Sequence, residues 1–325
     1  MLEKIKEVTP EEWEQVNEFN RQITQEFLEQ QHLSPQTLKQ YESALKIFFR
    51  WVKDYCQNKP ITELKPRDAL RYQNYLISRN LSSNAVKFKR SAVSSLCGYI
   101  ELYYADEYPL FRNIYNKKIP NPAKSLRYNK EPLTEEEFNM LIEELKKREE
   151  WQMVAYLIFT YTTGCRREES RQLLKEVVNY SKVKDPKTGE EKNYYLTHEI
   201  RCKGRGKGGK IRRFPYDDYT MEALKKWLEV RGEDDCPYMF VTKTKDGKVR
   251  QISASTFNYW CQEIFSEIVG KRVHPHLLRS SRATNLALAE NKSIDAIQKL
   301  LGHESPDTTQ IYIVKNSDDE IDEIF

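Results

Sequence analysis

The sequence of 325 residues lacks any long apolar run. No stretch approaches the ~18 uncharged apolar residues that a membrane-spanning helix requires, and the opening MLEKIKEVTPEEWEQ has no continuous apolar core of the kind a signal peptide needs. A soluble protein with no membrane partner, kept in the cytoplasm, is expected. Cysteine is sparse: Cys56, Cys97, Cys165, Cys202, Cys236 and Cys261 form no Cys-x-x-Cys pair and no metal-ligand spacing, which fits a reducing interior. Clustered acidic and His ligands are missing too, His274 with His276 being too little, so no metal is expected. There is no internal repeat and no low-complexity tract. A large charge of one sign is also absent, because 53 Lys and Arg face 49 Asp and Glu, leaving a net +4. Composition is therefore a mild sign of a polyanionic partner, and the distribution of charge must decide.

What is present suffices for packed cores. The hydrophobic fraction is 39%, with 20 Tyr, 13 Phe and 5 Trp, despite a mean hydropathy of -0.78. The length favours two domains, each burying its own core. Thr9, Pro10 and Glu12 make a capping-box start with Pro at the first helical position, predicting a polar helix to about Gln31, an N-terminal extension over residues 1–31. A second helix starts at Ser34-Pro35 and carries Leu38, Tyr41, Leu45, Phe48, Phe49 and Val52 on one face. Helical patterns continue to about residue 125, which predicts an all-helical domain over 32–125. A linker at 126–132 follows, within a Pro- and Asn-containing passage that has no periodic face.

The second domain, 133–325, opens at Leu133-Thr134 with acidic residues in the first helical turn. From about 177 to 216 the pattern alternates, with two Gly-containing turns, and predicts a three-stranded antiparallel sheet. Helices then resume at TMEALKKWLEVR, SASTFNYWCQEIFSEIV, HLLRSSRATNLALAE and SIDAIQKLLG. The expected fold class is mainly α with a small antiparallel β-sheet.

Four signals carry chemistry. Residues 199–215 hold Arg201, Lys203, Arg205, Lys207, Lys210, Arg212 and Arg213 against the single acid Glu199, a hairpin suited to a phosphate backbone. Such a run alone is as often a solvated surface hairpin. In HPHLLRSSRATNLALAE, Pro275 sits at a helix start with His276 and Arg279 three apart on one face, where the helix dipole and a planar guanidinium fork favour an anion. In SIDAIQKLLGHESPDTTQIYI, Gly302 ends one helix, Ser305-Pro306 starts the next, His303 lies in the joint, and Tyr312 lies about two turns further on. In YTTGCRREESRQLL, Arg166 and Glu169 stand three apart just after Gly164, a pairing usually of little energetic worth. Each signal alone has a bland reading; their order is specific.

A glycine-x-Arg with Glu three later, a Lys in a Gly-rich hairpin, H-x-x-R, then L-G-H and a Tyr nine beyond resembles the motif series of the tyrosine recombinases, the phage integrase family. SPQTLKQYESALKIFFRW, NLSSNAVKFKRSAVSSL and NPAKS are similar to the family's helical, SAM-like core-binding domain and its exit. The resemblance implies a core-binding domain joined to a mixed α/β catalytic domain, closing as a C-shaped clamp on double-stranded DNA. It implies catalytic positions at Arg166, Lys207, His276, Arg279, His303 and Tyr312, and DNA contacts at Arg201, Lys203, Arg205, Lys210, Arg212, Arg213 and Arg282, with Lys87, Lys89 and Arg90 in the first domain. Tyr312 would attack a phosphodiester to give a 3′-phosphotyrosyl bond and a free 5′-hydroxyl, with no cofactor, ATP or metal. Arg166 and Arg279 would stabilise the transition state, His303 would donate to the phosphate, His276 would manage the tyrosine proton, and Lys207 would protonate the leaving oxygen, with Lys203 and Lys210 as close competitors. Glu169 is expected to orient Arg166.

The match departs from the family pattern at Leu277, Ser280 and Arg282, where a third cation replaces a core aromatic, and at Arg167, Ser170 and Arg171. Two functions follow: an active site-specific recombinase or integrase working as a tetramer on paired sites, or a repressor-like regulator of a phage or other mobile element, monomeric or dimeric, that keeps the fold without recombining DNA. Either would sit in a bacterial cytoplasm, associated with the nucleoid. An accessory DNA-bending protein would be a further partner.

Overall fold

In the computed structural model, residues 5–30, 33–115, 119–123, 131–202 and 210–302 are described. The chain divides into two compact units between residues 128 and 129.

In the first unit Thr9 caps α1 (Pro10–Glu14) as its motif requires, its hydroxyl accepting from Glu12 N at 3.2 Å while Glu12 Oε2 accepts from Thr9 N at 3.0 Å. The helix does not run on to Gln31. It breaks after Glu14 and restarts as α2 (Glu18–Leu28). The cause is tertiary: Asn17 N–H donates to Asn58 Oδ1 (2.8 Å), Asn58 Nδ2 donates to Gln15 O (2.9 Å), and buried Asn20 accepts from Ile61 N (2.8 Å) and donates to Lys59 O (2.9 Å). The Asn58 bonds satisfy Asn17 N and Gln15 O, backbone groups that a continuous helix would have paired internally, and the Asn20 bonds tie the start of α2 to residues 59–61. Residues read as an extension thus belong to the unit's interior, where Val16, Ile23 and Phe27 are buried.

Ser34 caps α3 (Pro35–Tyr55), accepting from Thr37 N at 3.1 Å, and Leu45, Phe48, Phe49 and Val52 form its buried stripe. With α4 (Pro66–Ser78) and α5 (Ser83–Tyr103) it closes a core in which Phe48, Trp51 and Tyr72 meet ring to ring.

The second unit opens on a clamp: Leu133 N donates to Ser281 Oγ (2.7 Å) and Leu133 O accepts from Asn285 Nδ2 (3.2 Å), just before Thr134 caps α6 (Glu135–Lys147). Its first turn holds Glu135, Glu136 and Glu137 and its last Lys146 and Lys147, both complementing the helix dipole. Helix α7 (Trp151–Thr163) is buried along most of its length and is the central post of this unit. It ends at Gly164, φ +60°, and the short α8 (Arg167–Arg171) follows.

The expected three-stranded sheet forms only in part. One long hairpin pairs β1 (Tyr195–Leu196) with β4 (Pro215–Tyr216) and β2 (Ile200–Cys202) with β3 (Lys210–Arg212), interrupted where buried Thr197 Oγ1 accepts from Phe214 N (3.0 Å). The third arm reduces to one bridge, Lys184 to Glu191, and residues 175–179 form a 3-10 turn. Side chains at this edge turn to the next helix instead, since Lys182 and Tyr195 both bond Asp218, at 2.7 and 2.9 Å.

Helix α9 (Asp218–Arg231) packs on α7. A second hairpin, β5 (Val241–Lys243) with β6 (Val249–Gln251), was not anticipated, although K-D-G at Lys245-Asp246-Gly247 is a turn signal. It leads into a continuous helix, α10 (Ala254–Tyr259), a π-turn (Trp260–Phe265) and α11 (Ser266–Val269). Pro275 opens α12 (Pro275–Leu288), and α13 (Ile294–Leu301) ends at Gly302, φ +66°. Among the described residues no helix is long and apolar enough to cross a membrane.

Removing the ring of Phe27 leaves a cavity in the first unit's core. Phe27→Ala should cost about 3–4 kcal/mol, read as a lower urea midpoint; an unchanged midpoint would show that the first 30 residues are peripheral.

Candidate phosphate site

The site is organised around two helix ends. Gly164 terminates α7 in the left-handed conformation, and two residues later Arg166 is the N-cap of α8. Glu169, only 2% exposed, accepts from Arg166 N (2.6 Å, Oε2) and from Arg166 Nη1 (3.0 Å, Oε1). Arg166 is thereby aimed by a buried carboxylate while 30% of its side chain stays open to solvent, enough to reach an anion.

Residues that depart from the family pattern mount α8. Arg171 Nη1 donates to Gln251 Oε1 (2.7 Å), Gln251 Nε2 returns a bond to Arg171 O (2.8 Å), and Arg167 Nη1 donates to Asn258 Oδ1 (3.0 Å). Ser170 Oγ lies 3.1 Å from Thr160 Oγ1 and 3.0 Å from Cys165 Sγ. Burial pushes the Cys165 thiol up to about 11, so this cysteine, although beside Arg166, is no nucleophile at neutral pH.

On α12, His274 caps the helix, Nδ1 accepting from Leu277 N at 3.0 Å, and His276 is exposed in the first turn. Arg279, one turn on, is 0% exposed. Its Nη1 donates to Gly164 O and its Nη2 to Leu301 O at 2.7 Å. One guanidinium thus joins the carboxy ends of α7 and α13, where the helix dipoles favour a cation. Arg279 is thus bonded to the carbonyl of Gly164, two residues before Arg166. Lys203, Arg205, Lys207, His303 and Tyr312 lie outside the described residues.

Several cations read as DNA contacts are engaged in the fold. Arg212 turns inward, donating to Leu301 O (2.8 Å), Leu300 O (2.9 Å) and Lys299 O (3.1 Å). Arg282 pairs with Glu290 (2.6 Å) and lies over the Tyr161 ring, 5.8 Å from its centroid, which accounts for a cation where the family has an aromatic. Arg90 donates to Pro120 O (2.8 Å) and Ile119 O (3.2 Å) above Tyr115, holding the exit of the first unit. Lys89 is half-buried, and burial pulls its ammonium below the usual lysine range; Lys87 is half-buried on the same helix. Arg201, Lys210 and Arg213 are exposed, Arg213 only 3.5 Å from Glu199 in a solvated pair of little strength.

The second hairpin adds cations that the sequence reading passed over. Lys243, Lys245, Lys248 and Arg250 are all exposed, with Asp246 the one acid among them. In the sequence of both hairpins, alternating cations flank glycine. Among the described residues no group of three or more His, Cys, Asp or Glu could hold a metal.

Residues 131–318 match the phage integrase family, and residues 21–101 match the phage integrase N-terminal SAM-like domain. The chain belongs to the phage integrase family of tyrosine recombinases. Among relatives of this integrase-family chain, SPbeta prophage-derived recombinase-like protein YomM of Bacillus subtilis (strain 168) is 33% identical, covering 99% of this chain and 95% of that protein. Tyrosine recombinase XerA of Pyrococcus furiosus is 32% identical over 76% of this chain and 75% of its own. Among solved structures, XerH site-specific recombinase bound to palindromic difH substrate is similar in fold with TM-score 0.67 at 17% identity, covering 99% of this chain and 97% of that one. A lambda integrase dimer bound to a COC' core site gives 0.64 at 15% identity, covering 90% and 93%. The integrase fold here is accordingly mainly helical with small antiparallel sheets.

In this integrase-family site Glu169→Gln keeps the shape but leaves one acceptor for two donors and removes the charge. A loss of about 2 kcal/mol is expected, measured by thermal unfolding; no loss would mean that Arg166 is held by something else.

Proposed function

We propose that this chain is a site-specific DNA recombinase that cuts and rejoins duplex DNA through a 3′-phosphotyrosyl intermediate on Tyr312. The observation that carries the reading is that Arg279 donates to Gly164 O while Arg166, two residues on, caps α8 with its guanidinium held by Glu169 and still partly open to solvent. Attack by the Tyr312 oxygen on phosphorus forms the phosphotyrosyl bond and breaks the bond to the 5′-oxygen, which leaves as a hydroxyl after taking a proton from Lys207. One phosphodiester replaces another, so the reaction runs without an energy source. Exposed His276 takes the tyrosine proton, whose unperturbed pKa near ~10 makes unaided attack slow. Arg279 exchanges neutral carbonyls for anionic phosphate oxygens, which are stronger acceptors, and His303 adds a further donor.

The prophage-derived, recombinase-like relative and the tyrosine recombinase relative support this reading, as do the DNA-bound structural neighbours. The first unit and the two basic hairpins of the second would hold the duplex, and exchange would need a tetramer on paired sites. The complete burial of Arg279 against backbone favours a second reading, a DNA-binding regulator in which that arginine stays structural.

Covalent trapping separates the two. With nicked fragments tiled across the source element, wild type should give a denaturant-resistant protein–DNA adduct, Tyr312→Phe should bind without one, and Arg279→Ala should bind while losing cleavage by at least about a hundredfold. Tight sequence-specific binding with no wild-type adduct would establish the regulator.

The unassigned hairpin is tested separately. Replacing Lys243, Lys245 and Arg250 by alanine should weaken binding and flatten the plot of log affinity against log salt by about one for each phosphate left without its cation; an unchanged slope would take this hairpin off the DNA.

A further inference from the structure

We infer that Arg212 is a positioning residue for strand cleavage, holding the carboxy end of α13 in place when Arg279 engages a phosphate. The inference rests on the recombinase reading.

Arg212 sits on β3 opposite Ile200, in the middle of a run of cations that would otherwise all be read as backbone contacts. Its guanidinium instead covers three successive carbonyls, Lys299 O, Leu300 O and Leu301 O, at 3.1, 2.9 and 2.8 Å, and lies over the Phe214 ring, 4.9 Å from its centroid. The last carbonyls of any helix lack partners within it, and a helix of eight residues has little stability of its own. A planar fork with several donors can serve three acceptors at once, which an ammonium group cannot do in the same geometry.

Leu301 O is shared between Arg212 and Arg279. Gly302 follows in the left-handed conformation, and a Cβ built there would fall on the Arg212 guanidinium, so the chain leaves α13 tightly against it. His303 comes next and Tyr312 ten residues after Gly302. When Arg279 turns its donors to a phosphate, α13 loses one of the two cations on its end. Arg212 makes no use of the phosphate and keeps the other. Gly302, from which the sequence runs on to His303 and Tyr312, then stays fixed during the step that needs alignment, where a displacement of about 1 Å can cost about a hundredfold in rate.

The test compares wild type, R212A and R212K on a nicked target, measuring affinity, its salt dependence, thermal melting and the single-turnover rate of adduct formation at saturating DNA. R212A should bind with unchanged affinity and salt slope and form adduct about a hundredfold more slowly. R212K, which keeps the charge but not the fork, should be nearly as slow, and millimolar guanidinium should restore part of the rate to R212A. The inference is overturned if R212A weakens binding, lowers the salt slope by about one and is rescued by R212K, with the saturating rate intact, because Arg212 is then a phosphate contact. It is also overturned if R212A reacts at the wild-type rate, or if both variants fail to fold, which would make the residue essential to the fold alone. Absence of adduct from wild type would sink the recombinase reading itself and this role with it, an outcome distinct from a normal rate in R212A.

Discussion

Two guanidinium groups on the carboxy end of a two-turn helix hold the second unit's site together. Helix α13 is too short to persist by its own hydrogen bonds, and its terminal carbonyls are taken up by Arg212 from the β-hairpin and Arg279 from α12. Because Arg279 also takes Gly164 O, the ends of α7 and α13 are locked at one separation. The fit is close: a Cβ at Gly164 would lie 2.6 Å from Leu301 Cδ2. Both glycines have positive φ, so side chains are disfavoured there by backbone strain as well as by space. Arg166 is reached two residues beyond the first of these glycines, so its position inherits that separation.

A fully buried arginine is costly to desolvate, and the identity of its acceptors decides what it can do. Arg231 shows the permanent solution: its guanidinium holds the Asp234 carboxylate through Nε at 2.6 Å and Nη2 at 2.5 Å, with Tyr238 O and Cys236 O completing the shell. No ligand would easily draw it from an anionic partner. Arg279 donates to two backbone carbonyls that are favourably placed at helix ends but uncharged. A phosphate oxygen competes well against those and poorly against a carboxylate. The bonds from Arg279 to Gly164 O and Leu301 O are therefore of the kind that a phosphate can replace, and the Arg231 pair is not.

Most helices were legible because their ends are written locally: Ser34-Pro35, Thr134 with Glu137, Pro275 and Gly302 each mark the boundary their chemistry predicts. The break between α1 and α2 was not, since it depends on Asn58, Lys59 and Ile61, some 40 positions away. Side-chain direction was hidden for the same reason. Within a cationic run nothing local distinguishes Arg212, which turns to α13, from Arg213, which stays in solvent, nor tells that Arg90 closes on Pro120. The pairing of Arg166 with Glu169 was legible from its spacing, but not that the carboxylate is buried and makes a capping box. The third strand was overread because alternation continues past the point where partners exist, and the K-D-G hairpin was passed over although its turn was visible.

The substitutions around α8 show how such a site tolerates change. Arg167, Ser170 and Arg171 replace residues that are apolar or small in the family pattern, and each makes directional bonds: to Asn258, to Thr160 and Cys165, and to Gln251 in both directions. Apolar packing would allow the short helix to slide or rotate at small cost, whereas bonds with fixed angles resist both. The part-buried contacts of Arg167 and Arg171 contribute little to stability, so their main effect is on orientation. Helix α8 has only five residues and carries Arg166 at its cap; its tilt is therefore the tilt of that guanidinium. Anchoring it to the second basic hairpin through Gln251 also means that whatever that hairpin binds is coupled, through one reciprocal pair of hydrogen bonds, to the arginine that caps α8.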